Sequence, residues 1–167
     1  MLDFGKILVD GGIISILISF ILIGMLWYNP RMFLNKGDYP PDVIAAVPPK
    51  TDEERWMSII LGIPFFIVAL GVPLYSTFTF NRQMGSEASF WLLFWHTFGV
   101  VFIPFLWDLV VLDWWMFCTV TPKFVVIPGT EGFAGYKDKV FHLRMHTRGI
   151  VVLFIGSLFI SGVVWFL

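Results

Sequence analysis

Phe90-Trp-Leu-Leu-Phe-Trp-His96-Thr-Phe-Gly-Val-Val-Phe-Ile-Pro104-Phe-Leu-Trp-Asp108-Leu-Val-Val-Leu-Asp113-Trp-Trp-Met-Phe-Cys118-Thr-Val120 is the stretch that decides the fold. It is long enough to cross a bilayer, which takes about 20 apolar residues as a helix. Yet it carries one histidine and two aspartates. Ionisable side chains at membrane depth are costly, so they face a bundle interior or an aqueous cavity and find partners there. Other parts of the chain must therefore meet His96, Asp108 and Asp113. At 1.5 Å per residue the stretch would measure about 46 Å, against a hydrocarbon core of about 30 Å. It must tilt, bend near Pro104, or extend beyond the bilayer.

Three further segments have the same character, at about 12–28, 56–78 and 149–167. With the 90–120 stretch they predict an all-α integral membrane four-helix bundle, a single transmembrane domain over 1–167. Backbone polar groups in lipid must be satisfied within each segment, which favours helices. Composition agrees. Apolar residues make up 57% of the chain and charged residues only 14%, against roughly a quarter charged in a soluble domain. The formal net charge is −1, and no basic block suits nucleic acid. Cys118 is the only cysteine, which rules out an intramolecular disulfide and a Cys-x-x-Cys site. The first apolar segment lacks the basic start and small-residue exit of a signal peptide, and is expected to be retained as a span.

Basic residues are distributed unevenly. Arg31, Lys36, Lys50 and Arg55 lie between the first two spans, and Lys123, Lys137, Lys139, Arg144 and Arg148 between the last two. Lys6 and Arg82 alone fall on the other side. The positive-inside rule then puts both longer loops in the cytoplasm, with both termini outside. Trp27, Tyr28, Trp56, Trp91 and Trp95 suit interfacial belts. Thr51 and Glu54 match a capping box before the second span. Gly12, Ser15 and Ser19, and Gly149, Gly156, Ser157 and Ser161, form small-residue stripes suited to close helix contact. Packing within one chain is the simpler use of these stripes, and a seam between copies or with another membrane protein the alternative.

The polar residues converge at one level. Asp108 and Asp113 lie in the half of the third span nearest the His142–Arg144–His146–Arg148 run that opens the fourth. An Asp–Arg pair between these spans is the leading expectation. As a helix, 141–148 puts His142 and His146 on one face and the arginines nearly opposite. Two histidines at i, i+4 can chelate a metal with an aspartate as third ligand. Without a His-Glu-x-x-His motif the pattern assigns no metal, catalytic residue or cofactor. Asp108 and Asp113, five apart, fall roughly 140° apart on a regular helix and are not expected to share a face. His96 lies about 18 Å from Asp108 by helical rise. It reads as a hydrogen-bonded bundle histidine or, alternatively, a proton relay.

The connection at 121–136 contains Pro-Lys-Phe-Val-Val-Ile-Pro-Gly-Thr-Glu-Gly, an apolar β-branched run bounded by turn residues. It predicts a partly extended loop between helices 3 and 4. Trp107-Asp-Leu-Val-Val-Leu-Asp113-Trp, with Thr121-Pro-Lys-Phe-Val-Val-Ile-Pro-Gly-Thr-Glu-Gly132, resembles a group of small prokaryotic four-span proteins. Trp27-Tyr28-Asn29-Pro30 is similar to a second four-span group. The first resemblance implies a prokaryotic inner membrane, and neither implies an activity. Small multidrug transporters use a carboxylate in the first span, and a span starting near Gly12 holds none.

Three functions compete. One is binding or transport of an ion or small molecule at the cluster of Asp108, Asp113, His142, Arg144, His146 and Arg148. Another is assembly with a membrane partner, in which the polar groups fix helix register. The last is a membrane-embedded enzyme with His142 or His146 as base, acting on a lipid or phosphate headgroup.

Overall fold

The computed structural model describes residues 1–34 and 38–167, and contains no strand among them. Lys36, one of the basic residues of the first loop, lies outside the described residues. The helices are α1 (Phe4–Tyr28), the short α2 (Pro41–Ala46), α3 (Asp52–Gln83), α4 (Phe90–Trp107) and α5 (Lys139–Phe166). From Asp108 to Val120 the chain continues as a π-helix. Among the described residues four helices are long and apolar enough to cross a membrane: α1, α3, the joined Phe90–Val120 helix, and α5.

The helices begin earlier than hydropathy alone places them, because polar caps start them. The Asp3 carboxylate accepts from the Lys6 amide at 2.9 Å, and that of Asp138 from the Phe141 amide at 2.9 Å. Side-chain oxygens so placed satisfy otherwise unpaired first-turn amides. At α3 the expected capping box is complete: the Thr51 amide donates to Glu54 at 2.9 Å, and the Glu54 amide to Thr51 Oγ1 at 3.1 Å. One expectation is thereby corrected. Starting at Phe4, the first span does contain a carboxylate, Asp10, in an i, i+4 ion pair with Lys6 at 2.8 Å.

One compact unit comprises Met1–Ile18, Phe66–Trp107 and Arg148–Leu167. Here segments of α1, α3, α4 and α5 pack as a bundle. Ile7 and Ile14 bury against Val100, flanked by Val68, Val72 and Ile103. Phe80, Ala88, Leu93 and Val164 form a second apolar cluster. A hydroxyl chain ties three helices, with Thr77 Oγ1 2.8 Å from Thr97 Oγ1 and the latter 3.0 Å from Ser161 Oγ. Pro104 has no N–H for the Val100 carbonyl one turn back. Gly11 lies against that carbonyl, where a Cβ would come within 2.9 Å. The close contact on α1 is thus Gly11; Gly12, the glycine of the expected stripe, has open space beside it.

The other unit comprises Ser19–Phe65 and Asp108–Thr147. Asn29 caps the turn Pro30–Phe33. That turn presents Arg31 to Glu54 in a two-pronged contact, Nε–Oε1 2.6 Å and Nη2–Oε2 3.1 Å. The adjacent carboxylate holds the Arg31 guanidinium above its usual pKa. Lys50, its Nζ on the Met32 carbonyl and on Ser58, is pushed down by burial. Between 121 and 138 the chain makes two 3₁₀ turns, Lys123–Val125 and Ala134–Lys137, with extended backbone at Pro122, Val126 and Phe133. The β-branched residues expected to be extended instead plug a core: Val125 and Ile127 bury with Tyr39, Val43, Phe117 and Tyr136. Gly129 and Gly132 turn the loop at φ +86° and +81°, where a side chain would be strained.

Tyr39 donates to the Val125 carbonyl at 2.8 Å, and burial raises its phenol well above the ordinary value. The phenol stays neutral in the fold but ionises in the unfolded chain above about pH 10. Its contribution to stability is therefore complete below that pH and declines above it. Tyr39→Phe should cost about 1–2 kcal/mol near neutrality through the lost hydrogen bond, and should flatten the alkaline decline. Thermal unfolding of both proteins from neutral to alkaline pH checks this; parallel curves would refute it.

Candidate functional site

The π-helix is the device that assembles the site. Its i→i+5 bonds stack residues five apart, as an α-helix nearly stacks residues four apart. The Thr121 amide donates to the Met116 carbonyl at 2.8 Å, and Thr119 Oγ1 to that of Trp114 at 2.7 Å, both five residues back. Asp108, Asp113 and Cys118 are spaced by five. They form one column, and the two aspartates do share a face, contrary to the reading for a regular helix. Facing them on α5, His142 and His146 are spaced by four, so one π turn meets one α turn.

The contacts follow this ladder. His146 Nε2 lies 3.4 Å from Asp108 Oδ2, and His146 Nδ1 3.5 Å from Asp113 Oδ2. His142 Nδ1 lies 3.2 Å from Asp113 Oδ2. The Cys118 thiol lies beside the His142 ring, and Phe117 packs on it edge-on with centroids 5.0 Å apart. His142 is buried, and its Nε2 has no nitrogen or oxygen partner. Trp114 Nε1 donates to the Lys139 carbonyl at 3.2 Å, tying the π-helix to the start of α5.

The expected Asp–Arg pairing is replaced by Asp–His pairing. Because α5 is helical from Lys139, the histidine face turns to the aspartates. Arg144 falls nearly opposite and is exposed; Arg148 is also exposed and belongs to the other unit. The structure therefore brings together Asp108, Asp113, His142 and His146, and leaves Arg144 out.

Tautomers follow from the acceptors. His146 Nδ1 lies 3.2 Å from the His142 carbonyl, which can only accept. Nδ1 therefore carries a proton, and Nε2 is the ring atom turned to Asp108 Oδ2, at 3.4 Å. One ligand atom from each of Asp108, Asp113 and His146 lies within 4.8 Å of the others. At bond lengths of about 2.0–2.2 Å, tetrahedral ligands sit roughly 3.3–3.6 Å apart. The 3.4 Å between His146 Nε2 and Asp108 Oδ2 matches that spacing, and the 4.8 Å limit on the set is wider than it, so the side chains would have to close on an ion.

Sequence reasoning missed Cys118 as a member of the column. The signal was its five-residue spacing from Asp113, which has meaning only on a π-helix. It also missed a second polar chain in the other unit. Lys6 pairs with Asp10, Ser76 Oγ lies 2.5 Å from Asp10 Oδ2, and His96 Nε2 lies 3.0 Å from Ser76 Oγ. Ser76 gave no signal within an apolar run.

The fold and site define a multi-pass membrane protein with a carboxylate–imidazole cluster. Comparison with known proteins finds no matching family model, curated protein or solved structure.

Asp113 meets both histidines and is less exposed than Asp108, 21% against 38%. Asp113→Asn should destabilise the protein by about 1.5–3 kcal/mol, the worth of a charge-assisted hydrogen bond, and Asp108→Asn by less. Thermal midpoints in detergent test the order, and the reverse order would show that Asp113 is not the pivot.

Proposed function

We propose that this is a cation-binding membrane protein, built for transport, in which Asp108, Asp113 and His146 hold a divalent first-row metal ion. The observation that carries the reading is that one ligand atom from each of Asp108, Asp113 and His146 lies within 4.8 Å of the others, with His146 Nδ1 on a backbone carbonyl and its Nε2 turned to Asp108. Metal-binding histidines make that outer hydrogen bond almost always. Two carboxylates side by side also need a balancing positive charge in low dielectric. His142, bonded to Asp113, acts as the outer support of a carboxylate ligand. Imidazole with carboxylates suits Zn²⁺ and Mn²⁺. The crowding of basic residues into the two longer loops supports a cytoplasmic position for the cluster, in a prokaryotic inner membrane with both termini outside.

Zn²⁺ and Mn²⁺ titrated into metal-stripped protein in detergent should bind one per chain. At 100 times Kd the metal should stabilise the fold by about 2.7 kcal/mol. Asp108→Asn and His146→Ala should weaken binding at least about tenfold, within the range for loss of a ligand or its support, and Arg144→Gln should leave it unchanged. Wild-type protein that binds neither ion would reduce the cluster to a fastener between helices.

One observation favours the enzyme reading as second choice. Asp113, His142 and the Cys118 thiol form a carboxylate–imidazole–thiol series in sequence of contact, the order in which a base is oriented and a nucleophile activated. Exposure to a small uncharged electrophile should then place one adduct on Cys118, lost in His142→Gln. Intact-mass spectra without an adduct would remove this reading.

A further inference from the structure

His96 is fully buried, and its ring stacks on Phe80 with centroids 4.2 Å apart and an interplanar angle of 4°. The Asp10 carboxylate, salt-bridged to Lys6, can only accept, so Ser76 spends its O–H on Asp10 at 2.5 Å. The Ser76 oxygen is then left to accept, and His96 must donate to it from Nε2 at 3.0 Å. Neutral His96 is thereby fixed as the Nε2–H tautomer. Its Nδ1 lone pair is buried and has no hydrogen-bond partner. An acceptor so placed costs free energy unless it is used, and chains of aspartate and histidine within spans mark proton pathways.

We infer that His96, Ser76 and Asp10 form a proton-transfer chain through the α1–α3–α4 side of this unit, separate from the carboxylate–imidazole cluster. A proton arrives at His96 Nδ1. The Nε2–H bond breaks and its proton passes to Ser76 Oγ, while the original hydroxyl proton passes to Asp10 Oδ2. One proton enters at the ring and one appears on the carboxyl, so charge and atoms balance. Neutralising Asp10 removes the partner of Lys6, so arrival of the proton breaks the ion pair in α1. Charged groups acting on the ring are Asp3, Lys6 and Asp10, from the α1 side. Packed against it, α3 contributes the Ser76 hydroxyl and the Phe80 ring, and α5 enters the same polar layer through Ser161.

The test is proton uptake by protein reconstituted in vesicles of neutral and anionic phospholipid, driven by a potassium–valinomycin potential and read by an internal pH dye. Uptake should exceed that of empty vesicles. It should fall about tenfold or more in Ser76→Ala, Asp10→Asn and His96→Gln, as removal of a proton-transfer group does, and return in Ser76→Thr, which restores the hydroxyl. Wild-type uptake equal to empty vesicles, or undiminished uptake in folded Ser76→Ala, would overturn the inference. Should Ser76→Ala not fold, ¹⁵N spectra of the wild-type imidazole decide. An Nε2–H tautomer that takes its second proton on Nδ1, with Asp10 protonating in step, supports the chain. An Nδ1–H resting tautomer sinks it.

Discussion

Two carboxylates five residues apart cannot both meet one imidazole from a regular α-helix, because 3.6 residues per turn separates them by more than a third of a circle. The lower half of the Phe90–Val120 helix widens to a π-helix, and this change of pitch brings Asp108, Asp113 and Cys118 into one column. Extended π-helix is rare, and short stretches are found often at functional sites. Here its poorer backbone packing is offset by the Asp–His contacts, by side chains returning to carbonyls at Thr119 and Thr121, and by burial of Leu109, Leu112, Phe117 and Cys118.

The loop core supports that half of the helix. Thr121 adopts φ +48° at its end and is followed by Pro122, so the helix stops there. Phe117 and Cys118 then join Tyr39, Val125 and Tyr136 in a single apolar cluster. Tyr136 Oη accepts from the Ile127 amide at 2.9 Å, and Thr130 Oγ1 lies 2.7 Å from it. Asp42 accepts from the Gly135 amide at 2.9 Å, where a side chain would strike that carboxylate. What hydropathy presents as a connector is thus a packed substructure that fixes where the π-helix ends and hence which side chains it stacks.

The number and type of spans were legible because length and hydropathy report them directly. The Thr51–Glu54 capping box was legible because its two partners are three residues apart. The starts of α1 and α5 were not, because Asp3 and Asp138 are ordinary surface carboxylates until their amide partners are known. The level at which Asp108, Asp113, His142 and His146 meet was readable from topology. Their pairing was not, since it turns on a helical pitch that no single residue announces. An arginine is the stronger counter-charge in principle, but face and spacing outweigh strength: Arg144 lies nearly opposite the aspartates on its own helix, while His142 and His146 share the facing side.

Both polar systems are ordered by the same rule. A group that can only accept fixes the direction of every donor behind it. In one, the His142 carbonyl takes the Nδ1 proton of His146, so the ring atom turned to the Asp108 carboxylate is Nε2. In the other, the Asp10 carboxylate takes the Ser76 proton, so His96 donates from Nε2 and the free lone pair is Nδ1. The two imidazoles engage these acceptors through opposite nitrogens. At His146, Nε2 faces a carboxylate at 3.4 Å, which is the contact the proposed cation site is built on. At His96, Nδ1 is buried without a hydrogen-bond partner, which is the feature the proposed proton chain is built on. The difference in chemistry follows from which ring nitrogen the neighbouring acceptor engages.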